Sequence, residues 1–158
     1  MSPTRPPGAH RLLVGAATLL LMAPADAAPR EPQKARPNPY RAGQVWEYRT
    51  RPHERSSRLT VIGVESHPKL GTIVHVRLSG LRLRNKAVAG GWQSELPHLP
   101  FSAAAISKSV TRKVGHHGAL GDRTGYRDWR KAFEAGEAGI WTVSVAEAVR
   151  AIEQTVSR

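Results

Sequence analysis

Gly43–Arg84 reads GQVWEYRTRPHERSSRLTVIGVESHPKLGTIVHVRLSGLRLR, and it is the one long run in the chain that alternates in the manner of a β-sheet. Val45 to Arg51 sends Trp46, Tyr48 and Thr50 to one side and Val45, Glu47, Arg49 and Arg51 to the other. That pattern is a strand with an aromatic face turned inward and a charged face turned out. Pro52 to Ser57 is a polar connection, Arg58 to Glu65 a second β-branched run, and His67-Pro-Lys-Leu-Gly71 a turn. Thr72 to Arg84 makes a third run, and connections this short favour an antiparallel meander.

Within the third run the apolar phase slips. Val74, Val76 and Leu78 occupy even positions, whereas Leu81 and Leu83 occupy odd ones. A slip of one residue throws later side chains to the wrong face unless a bulge or bend intervenes, or the strand ends and another begins. Gly80 lies at the slip and is the expected bending point. In either case Leu81 and Leu83 point inward, and Arg82 and Arg84 outward.

Downstream the β pattern gives way to helical signals. Two prolines in Trp92–Phe101 argue against a central strand or a helix there. Ser102 can cap a helix that Phe101 staples against Ile106, and the four-residue spacing of Ile106, Val110 and Val114 extends that helix towards Gly115. A Gly-rich loop leads to a second helix with Tyr126, Trp129, Arg130 and Phe133 on one face, ending by Gly136. Ile140–Val143 is a short strand candidate, and Ser144-Val-Ala-Glu147 is a capping box opening a third helix with Val145, Ala148, Val149, Ile152 and Val156 on its apolar side. The fold class expected is α+β, with a three- or four-stranded antiparallel meander covered by two or three helices.

Upstream lies an address. Arg5 and Arg11 precede an uncharged, mostly apolar run from Leu12 to Ala23, followed by Ala25-Asp-Ala27. This is the pattern of a cleaved secretory signal peptide, residues 1–27. A helix over that run is only about 18 Å long, short of the roughly 30 Å hydrocarbon core, so it does not read as an anchor. Residues 28–42, with four prolines and little to bury, read as a flexible leader, and 43–158 as one small domain. The chain has no cysteine. It therefore lacks the residue a bacterial lipoprotein needs for its lipid, and it forms no disulfides although an exported protein's compartment would permit them. The expected location is periplasmic or secreted, soluble and not lipid-anchored, with no transmembrane segment after cleavage.

The chain carries a formal charge of +12, and loss of Arg5, Arg11 and Asp26 leaves +11. Such an excess attracts anions. For an exported protein these are head groups or cell-wall polymers, or an acidic protein, rather than nucleic acid. Arg49, Arg51, Arg55 and Arg58 flank the first hairpin connection, and Arg82, Arg84 and Lys86 end the third run on its outer face. Together they are the candidate binding residues, as one cationic edge able to fork anionic oxygens. The nearest aromatics alternate to the opposite face, which argues against a stacking platform for single-stranded nucleic acid.

Catalytic signals are weaker. The sequence holds no GxSxG elbow, no P-loop, no dinucleotide fingerprint and no cysteine nucleophile. Glu95 with His98, in ELPHLP, and Glu65 with His67, in ESHP, are the nearest acid/base pairs, and His75 sits among strand residues. His116 and His117 are adjacent and share no helical or strand face, and no chelating spacing such as HExxH occurs, so neither a metal nor a cofactor is expected. A noncatalytic binding or accessory protein of the bacterial cell envelope is the reading these features favour. The alternatives are a divergent secreted hydrolase using Glu95 and His98 with His75 or the His116-His117 loop, or an inhibitor or immunity-like protein that covers an acidic partner.

Overall fold

The computed structural model describes residues 37–158; the expected signal peptide and the first part of the leader lie outside them. The described residues form an α+β fold, with a five-stranded antiparallel sheet and three α-helices among them. Strands β1 (Gln44–Tyr48), β2 (Arg58–His67) and β3 (Gly71–Ser79) form the expected meander. Two strands not expected from the sequence widen it. β6 (Leu96–Ser102) pairs with β3 and β7 (Val110–His116) with β1, giving the order β6-β3-β2-β1-β7. A two-stranded ribbon, β4 (Leu83–Arg84) with β5 (Trp92–Gln93), stands apart from this sheet.

Pro97 and Pro100 do not prevent β6 because it lies at a sheet edge, where a missing N–H breaks no central ladder. Its outer side meets Trp141, which donates its N–H to the Pro100 carbonyl and accepts from the Ser102 N–H. That bridge is all that forms of the strand expected at Ile140–Val143. The first helix, α1 (Ala103–Ser109), is capped by Ser102 as expected but stops at Ser109 rather than near Gly115. From Val110 the chain is extended and pairs with β1. The Ile106/Val110/Val114 spacing is therefore not a helical stripe: Ile106 is buried, while Val114 stands exposed on the edge strand.

One face of the sheet carries the main core. Leu59, Val61, Val74, Val76 and Leu78 are fully buried there against Ala105 and Ile106 of α1 and Val145, Ala148 and Val149 of α3 (Val145–Val156). The capping box that opens α3 is formed in both directions between Ser144 and Glu147. Tyr40 is also buried in this core, and its hydroxyl meets Ser107 Oγ at 2.9 Å. Ordered packing therefore reaches upstream of Gly43. Strand β3 ends at Ser79, the chain bends at Gly80, where φ is +69°, and it continues into β4 with Leu81 and Leu83 buried and Arg82 and Arg84 exposed.

The opposite face carries Ile73 and His75 and lies beneath α2 (Thr124–Glu134), whose Tyr126 and Trp129 rings pack on His75. Among the described residues no helix is long and apolar enough to cross a membrane.

Candidate functional sites

Two side-chain clusters hold the candidate residues. The first is a groove beside the β4–β5 ribbon. A cavity of about 440 Å³ is lined by Arg51, Pro52, His53, Arg82, Arg84, Trp92, Arg150 and Glu153. Arg84 and Trp92 are directly paired across the ribbon, so their side chains share a face. The guanidinium carbon of Arg84 lies 5.0 Å from the Trp92 ring centre and that of Arg82 lies 5.6 Å away, both within cation–π range. The ring is half exposed.

Beneath the groove two carboxylates fasten the ribbon. Glu54 is 2% exposed and accepts from the Arg51 guanidinium and, through Oε1, from the Arg82 N–H at 2.7 Å. Glu153, on α3, accepts from Arg51 Nη1 and from the Arg84 N–H. Burial works against ionisation of Glu54, but the Arg51 guanidinium and the Arg82 N–H together hold its pKa below the usual carboxylate value. The same contacts raise the pKa of Arg51, with the Glu54 hydrogen bond the main cause. Arg51 is therefore a structural cation, whereas Arg82, Arg84 and Arg150 form no ion pair among the described residues.

The seven cations expected along one edge thus divide. Arg51, Arg82 and Arg84 line the groove. Arg49 donates to the Lys108 carbonyl, and Arg58 reaches Glu47 at 3.3 Å. Arg55 and Lys86 are exposed and do not line the groove. Sequence reasoning missed Arg150 and Trp92, which come from α3 and from β5. The signal for Trp92 was local: it follows Gly90-Gly91, both at positive φ, in the return that folds β5 back on β4.

The second cluster is assembled by the pairing of β6 with β3 and by a β-bulge in β2. In β2 the pairing runs Val61 to Val76 and then Gly63 to His75, so Ile62 is an extra residue. This shift leaves Val64 on the core side and carries Glu65 to the face of His75; without it, Glu65 would follow Leu59 and Val61 into the core. In β6, Leu99 pairs with Val76 and Leu96 with Leu78, so two residues, Pro97 and His98, oppose Arg77. His98 lies beside His75, with Nε2 3.0 Å from His75 Nδ1 and the rings stacked at 18°.

His75 is 1% exposed, and its Nε2 has no hydrogen-bond partner among the described residues; Glu65 Oε1 lies 3.4 Å away. Glu65 is held from α2 by the Tyr126 hydroxyl at 3.1 Å and Arg130 Nη1 at 2.9 Å. Desolvation lowers the pKa of both imidazoles, that of His98 to about 4, where its neighbour His75 contributes as well. A neutral pair satisfies the contact with one N–H shared between two ring nitrogens. Tyr126 and Trp129 lie over both rings, and Phe133 over His67, so the aromatic face of α2 rests on three imidazoles.

Of the candidate acid/base residues, the fold brings His75 and His98 together and replaces Glu95 with Glu65. Glu95 instead meets Arg77 at 3.1 Å and lines a cavity of about 210 Å³ with His117. The sign in the sequence was a phase slip in RLTVIGVE like the one at Gly80, with Leu59 and Val61 odd and Val64 even. Among the described residues no group of three or more His, Asp or Glu side chains is arranged to hold a metal ion. Comparison with protein-family models, curated proteins and solved structures finds no match to the chain.

Proposed function

We propose that the protein is a noncatalytic binding or accessory protein of the bacterial cell envelope, exported by its N-terminal signal peptide, that meets an anionic partner through the groove beside Trp92. The observation that carries this reading is the convergence of Arg82, Arg84 and Arg150 on one cavity around a half-exposed tryptophan. Guanidiniums are suited to oxyanions because their paired N–H groups match the oxygen spacing. Hydrolysis has less support, because the His75–His98 pair lies beneath Tyr126 and Trp129 and lines neither of the two cavities described above.

The test is retention of the purified protein on an anionic lipid or cell-wall matrix across a salt gradient. Wild type is expected to elute with rising salt, earlier in Arg82→Ala/Arg84→Ala and unchanged in Arg49→Ala, which lies outside the groove. Retention that ignores both salt and the double substitution would refute the proposal.

A further inference from the structure

We infer that the groove beside Trp92 takes a phosphomonoester group, an inference that rests on the anion-binding reading above and names its ligand. Charge comes first. Arg51, Arg82, Arg84 and Arg150 face Glu54 and Glu153, so the site holds four guanidiniums against two carboxylates and keeps a surplus of two positive charges. A phosphomonoester carries about −1.5 to −2 charges at pH 7 and matches that surplus. A carboxylate, a sulfate ester or a phosphodiester carries one, and leaves half of it unanswered beside Glu153.

Geometry narrows the ligand further. Arg82 and Arg84 have their backbone N–H groups tied to Glu54 and Glu153, and their guanidiniums stand against the Trp92 ring. Arg150 reaches the same cavity from α3. Three forks from two elements suit a tetrahedral oxyanion with several free oxygens. The other candidate cations do not prolong the groove into a stripe, since Arg49 and Arg58 are turned to Lys108 and Glu47. A compact group therefore fits better than a long polyanion. The volume of about 440 Å³ lies within the range of roughly 300–1,000 Å³ usual for small-molecule sites. It exceeds what phosphate alone needs, and leaves the exposed side of Trp92 to contact the carbon skeleton that bears the phosphate.

Such a group can come from a soluble phosphosugar or from a lipid head group, and the two sources are separated by parallel measurements. Calorimetric titration at pH 7.5 compares glucose 6-phosphate with glucose 6-sulfate. Sedimentation with phosphatidylcholine vesicles compares phosphatidic acid, a phosphomonoester, with phosphatidylglycerol, a phosphodiester. Binding of a phosphomonoester at least tenfold tighter than its monoanionic counterpart in either arm is expected, and the arm in which it occurs identifies the source. Arg82→Lys/Arg84→Lys, which keeps charge but loses the forks, is expected to weaken both anions while keeping the preference set by charge, with Tm unchanged; Arg82→Ala/Arg84→Ala, which removes the surplus, is expected to abolish the preference, and Arg55→Ala to preserve it. Equal binding of both anions in each arm, still lost in Arg82→Ala/Arg84→Ala, overturns the phosphomonoester assignment and leaves the anion-binding reading standing. Absence of binding in both arms overturns the assignment, and if matrix retention is also independent of salt and of the arginines, the anion-binding reading fails with it.

Discussion

Acidification should loosen the protein through the His75–His98 pair, and the size of the effect follows from the contact. Burial and the neighbouring imidazole lower the pKa of His98 from 6.5 to about 4. The unfolded chain therefore binds more protons than the folded one between those values, and stability rises with pH across that window. The contribution is complete above pH 6.5, declines as pH falls, and is gone below about 4. Between pH 7 and pH 5 the linkage for His98 alone amounts to about 2 kcal/mol, or a fall of roughly 8 °C in Tm for a domain of this size. His75, whose pKa is lowered mainly by desolvation, adds in the same direction. Among the charged groups around it, Glu65 opposes the shift while Arg123 and Arg130 favour it.

Urea unfolding of wild type and His98→Gln at pH 7, 6 and 5 measures this. Glutamine keeps a donor for His75 Nδ1 but cannot titrate, so the variant should lose about 2 kcal/mol less than wild type over the two pH units. Amide exchange should show α2 opening before the sheet, because its aromatic face rests on these rings and none of its residues is buried. Parallel stability losses in the two proteins, or α2 amides protected equally at pH 7 and pH 5, would refute the reasoning.

Glu54→Ala removes the buried partner of Arg51 and orphans the Arg82 N–H, and should cost about 3–5 kcal/mol in denaturant unfolding. Gly80→Ala forces a side chain into a backbone at φ +69° with its Cβ 3.2 Å from the Ser56 carbonyl oxygen, and should cost at least about 1 kcal/mol by the same measurement. Ser144→Ala removes the reciprocal cap of α3 and should cost about 1 kcal/mol, read as a lower Tm with the sheet unchanged by circular dichroism. Trp92→Ala should leave stability within about 0.5 kcal/mol, because half of the ring is exposed, while weakening retention on an anionic matrix.

The pattern of single residues determined a good part of this fold. Alternation in Gly43–Arg84 is enough to give the β1–β2–β3 meander, because the side-chain period of a strand is fixed at two, while its buried face also needs the bulge at Ile62. The capping box at Ser144–Glu147 and the face of Tyr126, Trp129 and Phe133 were equally local, and both are present. Distant pairing was not local. Val110–His116 becomes a strand only because the edge of β1 offers it hydrogen bonds, and Leu96–Ser102 only because the edge of β3 does, despite two prolines. Both candidate sites depend on such pairing. Arg82 and Arg84 were legible as outward cations on either side of Leu83, but Trp92 and Arg150 reach them from β5 and α3. His75 and His98 are 23 residues apart, and they meet because β6 pairs with β3, while the bulge in β2 turns Glu65 to their face. Sequence alone determined which residues alternate, cap and carry charge, since these are properties of a residue and its near neighbours. Only the tertiary structure decided which of them converge, because strand register and edge pairing are set by contacts across the sheet.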